Sequence, residues 1–201
     1  MIRVLLADDQ SLVRGAVAAL LGLEEDIEVA GEAGSGAEVL DLLRSAEVDV
    51  ALVDVEMPGM DGIALTAAIK ADHPGVRVLI VTTFGRPGYL RRALRAGADG
   101  FVVKDTPARR LADAVRRVHA GLRVVDPVLA AEGLVAGESP LTARETDVLR
   151  EAAAGGTVAD LARALHLSEG TVRNHLSAAI GKTGARTRAE AARLAQENGW
   201  L

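Results

Sequence analysis

Asp8 and Asp9 end the apolar run Ile2–Ala7, Asp54 ends Val48–Val53, Thr82 closes Val76–Thr82, and Lys104 follows Gly100–Val103. Taken singly, each acid has a bland explanation, because an Asp at a strand end satisfies nearby backbone donors. Brought to one place, they have a sharper one. Three carboxylates packed together repel, and a divalent cation relieves the repulsion. Mg2+ (or Mn2+) takes oxygen ligands, keeps several waters and commonly joins one or two carboxylates to a phosphate. Lys104 supplies a compact positive charge for a phosphoryl oxygen, and the Thr82 hydroxyl supplies a donor. The set fits phosphoryl transfer to a carboxylate, with Asp54 as nucleophile and Asp9 and Asp8 holding the metal, directly and through water.

The segments between these residues say how they meet. The runs Ile2–Ala7, Ile27–Gly31, Val48–Val53, Val76–Thr82 and Gly100–Val103 are rich in Val, Ile and Leu and read as strands buried on both faces. Helical patterns near Ser11–Leu21, Gly36–Ser45, Ile63–Asp72, Gly88–Ala96 and Pro107–Ala120 alternate with them. Five βα units predict an α/β, flavodoxin-like doubly wound parallel sheet in the order 2-1-3-4-5. Strands one and three are then neighbours at the switch point, where ligands sit beyond the carboxyl ends of the strands. Asp54 heads a turn whose breakers are Pro58, Gly59 and Gly62.

The chain has 201 residues and is 49% hydrophobic but only 2% aromatic, so aliphatic side chains must fill its core. It has no cysteine, which excludes disulfides and thiolate metal sites. No run approaches the roughly 18 apolar residues of a membrane span, and the first apolar run is too short for a signal peptide, so a soluble cytoplasmic protein is expected. The net charge of −5 argues against general nucleic-acid affinity, but the charge is uneven: residues 1–138 hold 21 acids and 15 bases, residues 139–201 hold 7 and 8. The second segment is the better candidate for meeting a polyanion. Lysine is rare beside arginine, occurring only at Lys70, Lys104 and Lys182, so each lysine merits inspection.

Residues 1–120 read as one domain and 121–137, with three Gly and a Pro, as a linker. Residues 138–201 read as a small all-α domain with helices at Thr142–Ala154, Val158–Leu165, Glu169–Lys182 and Arg188–Asn198. Ser168 suits an N-cap. Leu161, Ala162 and Leu165 give one helix an apolar face, His166-Leu167-Ser168 makes a turn, and Val172, Leu176 and Ala179 face inward from the next helix. Thr171, Arg173, Asn174, His175, Ser177 and Lys182 are left to point outward. Such a helix-turn-helix places its second helix in the major groove. There Arg173 and Asn174 can read base edges, while Thr171, Ser177 and Lys182 position the backbone. An ordinary solvated face is the competing explanation, and for His175 a capped or partly buried ring. Gly181 inside this helix costs about 1 kcal/mol relative to Ala, so its end is expected to fray.

The motifs "LLADDQ", "VDVEMPGMDG", "VTTF" and "FVVKDTP" resemble the receiver domain of bacterial two-component response regulators. The resemblance implies that Mg2+ and a sensor histidine kinase phosphorylate Asp54, and that Glu56 offers its backbone carbonyl to the metal. It further implies that Thr82 and Lys104 contact the phosphoryl group and that Phe101 is the aromatic whose rotamer follows the switch, unless it is a plain core residue. "TTFGRPGYLRRALRAGADGFVVKD" also resembles regulators of fatty-acid desaturation. "LTARETDVL" and "VADLARALHLSEGTVRNHLSAAIGKTGARTRAEAARLA" resemble the LuxR/NarL/FixJ helix-turn-helix, which implies double-stranded DNA as a partner. Val158 departs from a common Asn there, and Thr183 from a usual apolar residue.

Other readings are weaker. "GSGAEV" has Val39 where a dinucleotide fingerprint needs Gly, and "GKT" at 181–183 lacks the earlier P-loop Gly, which would fall at Leu176. A phosphohydrolase with an Asp-x-Asp pair would have Asp where Glu56 stands. A regulator that works without phosphate is opposed by the intact acid, Thr and Lys set. The first helix has an apolar arc of about half its circumference, counting Leu12, Ala16 and Leu23 among its members, more than one packed face requires. A homodimer formed there on phosphorylation is expected, unless neighbouring helices cover the arc.

Overall fold

In the computed structural model, residues 1–83, 87–126, 129–130 and 139–201 are described. They fold as two compact units. The first is a parallel sheet in the order β2-β1-β3-β4-β5-β6. Its strands are β1 (Ile2–Ala7), β2 (Ile27–Ala33), β3 (Val50–Val53), β4 (Arg77–Thr82), β5 (Gly100–Val103) and β6 (Val124–Val125). Its helices are α1 (Ser11–Leu21), α2 (Gly36–Ser45), α3 (Gly62–Asp72), α4 (Pro87–Arg95) and α5 (Ala108–His119). The expected strand order holds, and β6 extends it. This strand lies in the stretch read as linker. Two residues give no alternation to detect, so only its pairing with Gly100 and Phe101 reveals it. The rest of that stretch at 127–128 and 131–138, and Phe84 of the "VTTF" motif, lie outside the described residues.

Alternate strand residues feed two cores, as the period of two in a strand requires. Leu5, Ala7, Ala51, Val53, Val78, Ile80 and Phe101 pack with residues of α2, α3 and α4. Val4, Leu6, Val50, Leu52, Leu79, Val81 and Val102 pack with α5 and with Leu21 of α1. Every residue of β3 is buried, as befits the central strand of a sheet covered on both faces.

The second unit holds α6 (Ala143–Ala153), α7 (Val158–Ala164), α8 (Glu169–Thr183) and α9 (Arg188–Glu197). Each starts on a side-chain cap, from Thr142, Thr157, Ser168 and Thr187, that accepts a backbone N–H three residues on. Such caps satisfy donors that a helix start leaves open. Leu149, Leu161, Val172 and Ala179 are fully or almost fully buried at the centre of this bundle. Val158, which departs from the Asn common at that position, packs half-buried against that core.

Candidate functional site

Register brings the acids together. Ala7 pairs with Val53 and Thr82 with Val103, so Asp8 lies beside Asp54, and Lys104 lies one residue beyond the β4–β5 pairing. The ladder continues past the strand ends: Asp54 N–H donates to the Ala7 carbonyl at 2.8 Å and Lys104 N–H to the Thr82 carbonyl at 2.8 Å. The turn after Asp54 closes tightly, because Gly62 rests on the Asp54 backbone. A Cβ at residue 62 would lie 1.9 Å from the Asp54 carbonyl oxygen. Gly62 was expected only as a breaker; it is required by close backbone approach.

The Asp54 side chain is 3% exposed. Lys104 Nζ donates to Asp8 Oδ2 at 2.8 Å and to Asp54 Oδ2 at 2.9 Å. Asp54 Oδ1 is buried and has no hydrogen-bond partner. Burial pushes the Asp54 carboxyl above the usual carboxylate range; Lys104 opposes this, and the Asp8 charge adds to it. Burial lowers the Lys104 ammonium, but its bonds to Asp8 and Asp54 outweigh burial and the net shift is upward.

Carboxylate oxygens of Asp8, Asp9 and Asp54 lie within 4.8 Å of one another. Three carboxylates against one ammonium leave two negative charges and an unsatisfied buried acceptor. That is the donor set and charge that suit a hard divalent cation. Beside it, a cavity of about 20 Å³ is lined by Asp8, Asp54, Lys104 and residues of α1. Thr82 is buried at the end of β4, and Phe101 is wholly buried in the core. Glu56 is exposed, and its backbone favours the ionised form of Asp54. Arg14 of α1, which the sequence did not single out, donates to the Asp8 backbone carbonyl and places its Nε 3.3 Å from Glu32 Oε2. A lone Arg in an apolar helix pattern was the only available signal.

In the second unit, Arg173, Asn174 and Ser177 are exposed on α8, while Thr171 and His175 are half-buried. Arg173 pairs with Glu169 at 2.5 Å along the same helix. Thr171 is engaged by its cap, with Ser168 Oγ 2.8 Å from its hydroxyl. Lys182, expected to face outward toward a phosphate, is exposed, and its Nζ donates to both carboxylate oxygens of Glu145 on α6 at 2.9 and 2.7 Å. Glu145 was not anticipated, because its partner is 37 residues away. Nor does α8 fray at Gly181. It runs to Thr183, whose hydroxyl donates to the Ala179 carbonyl at 2.8 Å, and ends on Gly184 at φ 69°.

Along α1 only Leu21 is buried. Leu12 is 85% exposed, Leu23 80%, and Ala16 is also exposed. Among the described residues of this unit, Leu21, Val17 and Ala18 pack into the core shared with α5, and Leu12 and Ala16 are left uncovered. Leu23 lies beyond the helix, which stops at Leu21 and is capped by Gly22, because Gly22 and the following turn break the pattern.

A sheet with an acid pocket at its switch point and a helix-turn-helix together define a response regulator that binds DNA. The sequence pattern of the response regulator receiver domain matches residues 4–116, and that of the bacterial regulatory proteins of the luxR family matches residues 139–195. The chain belongs to the response regulators with a LuxR-type DNA-binding domain, a family of transcription regulators. It is 44% identical to the uncharacterized transcriptional regulatory protein YvfU and 40% identical to the transcriptional regulatory protein DesR, both of Bacillus subtilis, over 100% of each chain. Among solved structures it resembles the response regulator ChrA of a heme-sensing two-component system, with 34% identity, TM-score 0.60, and 100% and 98% of the two chains covered. It also resembles the response regulator RcsB in an RcsB–DNA complex, with 25% identity, TM-score 0.71, and 98% of each chain covered. Among the described residues, no helix is long and apolar enough to cross a membrane.

Proposed function

We propose that Asp54 accepts a phosphoryl group from the phosphohistidine of a sensor histidine kinase, and that the phosphorylated chain pairs with a second copy to regulate transcription from DNA. The observation that carries this is the buried, unpartnered Asp54 Oδ1 beside Asp8 and Asp9, with Lys104 already on the other oxygen. An Asp54 oxygen attacks phosphorus as the phosphorus–nitrogen bond breaks. The bonding electrons stay on the imidazole nitrogen, which takes a proton from solvent. Lys104 and Thr82 meet the phosphoryl oxygens. Asp8, Asp9, Asp54 and the Glu56 backbone carbonyl would hold a Mg2+ or Mn2+ ion, which would supply charge neutralisation for those oxygens. Phe101, packed against the α3 and α4 core, is the residue whose rotamer reports the change.

The DNA-reading face of α8 is then Thr171, Arg173, Asn174, His175 and Ser177. The dimer forms through Leu12, Ala16 and Leu23, a patch of the kind that marks association. The domain limits that go with this function are 1–120 for the receiver and 138–201 for the DNA-binding domain, and the setting is the cytoplasm. Target genes in fatty-acid desaturation rest on the likeness of residues 82–105 alone.

The test is incubation with magnesium and acetyl phosphate, followed by reductive mapping of the acyl phosphate. A stable phosphoprotein carrying its label on Asp54 is expected. Label elsewhere, or many acetyl phosphates consumed per chain, overturns the assignment and favours a phosphohydrolase.

A further inference from the structure

We infer that Lys182 is a positioning residue of the recognition helix and not a DNA contact: through Glu145 it fixes the last turn of α8 against the start of α6, and so sets how α8 enters the groove. This rests on the DNA-binding role of the second unit, for which binding by the unaltered protein is the control.

Glu145 has a side chain 7% exposed, so its charge needs a partner inside the fold. Lys182 Nζ donates to both of its oxygens, and Oε2 also accepts the Thr142 N–H at 2.7 Å, closing the α6 capping box. The bond to Lys182 holds the Glu145 carboxyl below its ordinary range, with the Thr142 N–H adding to this. Two of the three Lys182 donors are taken by Glu145, so a phosphate would compete with a buried carboxylate for the same charge.

The turn it holds also rests on the Thr183 hydroxyl bond to the Ala179 carbonyl and on the Gly184 cap, against one weak residue. Gly181 lowers helix stability, and a Cβ added there meets nothing within 4 Å, so close packing does not explain the glycine. The base-reading candidates Arg173 and Asn174 sit nearer the other end of the same 15-residue helix. A helix is a stiff rod, so a shift at its foot tilts them both.

The experiment uses the full, phosphorylated protein and a duplex enriched by it from a random-sequence pool, with a scrambled duplex of equal length as comparison. Lys182→Met and Glu145→Gln are each expected to weaken the selected duplex by about threefold to tenfold. The salt dependence of binding stays as in the unaltered protein, and amide exchange speeds up in the last turn of α8 even without DNA. Adding Gly181→Ala to Lys182→Met restores part of the affinity by stiffening that turn. Glu145→Gln keeps the side-chain volume and an acceptor for Thr142, which guards against simple unfolding. A phosphate contact behaves otherwise. Lys182→Met then lowers the salt slope by about one and weakens both duplexes alike, Gly181→Ala rescues nothing, and Glu145→Gln, by freeing the ammonium, leaves binding unchanged or tighter. Any of these results, or unchanged binding in both single variants, overturns the inference.

Discussion

Lys104 and Lys182 make almost the same ion pair and serve opposite ends. Lys104 bridges Asp8 and Asp54 at 2.8 and 2.9 Å; Lys182 spans the two oxygens of Glu145 at 2.9 and 2.7 Å. Around Lys182 one cation meets one carboxylate. Around Lys104 one cation meets two of three clustered carboxylates, and a buried oxygen has no partner. The third lysine resembles Lys182: Lys70 and the Val78 N–H share Asp99 Oδ2, and Arg77 takes Oδ1. A closed pair is architecture. Surplus charge with an unsatisfied acceptor marks a place where something else must bind, because a buried polar atom without a partner is costly.

The comparison breaks first at Asp54. Asp54→Ala is expected to abolish labelling by acetyl phosphate entirely while the thermal unfolding transition stays cooperative, since the open pocket is chemistry and not scaffold. Residual labelling on another side chain, read by mass spectrometry, would remove the distinction between the two lysine sites.

The second test concerns the surface next to the open site. Asp placed at Leu12 or at Leu23 should leave the phosphorylated protein monomeric in sedimentation velocity, because a charge on each copy would face its mate across a two-fold axis. Asp at Arg92 should leave the dimer intact, although it breaks the 3.5 Å pair with Asp61. The reverse pattern moves the dimer to α4.

Arg173 sharpens the contrast with Lys182 inside one helix. Its side chain is 61% exposed and, among the described residues, pairs with Glu169 along its own helix, so leaving Glu169 costs little. Arg173→Ala should weaken the selected duplex by about 1–3 kcal/mol if it reads a base, and relax specificity at one position. Equal weakening on a scrambled duplex, measured by titration across salt, reassigns it to the phosphates.

These differences also show what a sequence displays. Strand ends are legible because apolar runs stop sharply at Asp8, Asp54 and Lys104, and parallel order alone places those stops side by side. Capping is legible at Ser168 because it is local. The Glu145–Lys182 pair is not, because nothing in a one-dimensional pattern links residues 37 apart in different helices. Helical period places Lys182 outward, and it is exposed, but period does not show that a long flexible side chain reaches back to Glu145. Gly62 looked like punctuation; only the position of the Asp54 carbonyl shows that it is a contact. β6 is invisible because two residues have no period.

The smallest effect tests a closed pair directly. Arg3 donates to both Asp49 oxygens from its side chain and to one from its backbone. The Arg3 side-chain hydrogen bond is the largest influence on the Asp49 carboxyl, and against the opposing effect of burial it lowers it from 3.8 to about 2. A carboxyl depressed in the folded state binds its proton less readily there than in the unfolded chain. Its contribution to stability is therefore present above the unfolded value of 3.8 and is lost as pH falls through about 2. Asp49→Asn should leave stability nearly independent of pH in that interval as far as this residue is concerned, so the gap between the two proteins should narrow as pH falls. Urea unfolding midpoints measured side by side isolate it from the other depressed carboxylates, Asp26, Glu38, Asp99, Glu145 and Asp160, which both proteins share. The Asp49 side chain is 23% exposed and Arg3 34%, so solvent screens the pair and the change stays modest. A gap that is constant down to the lower limit would mean that Asp49 stabilises by its shape and hydrogen bonds alone, and that its charge closes nothing.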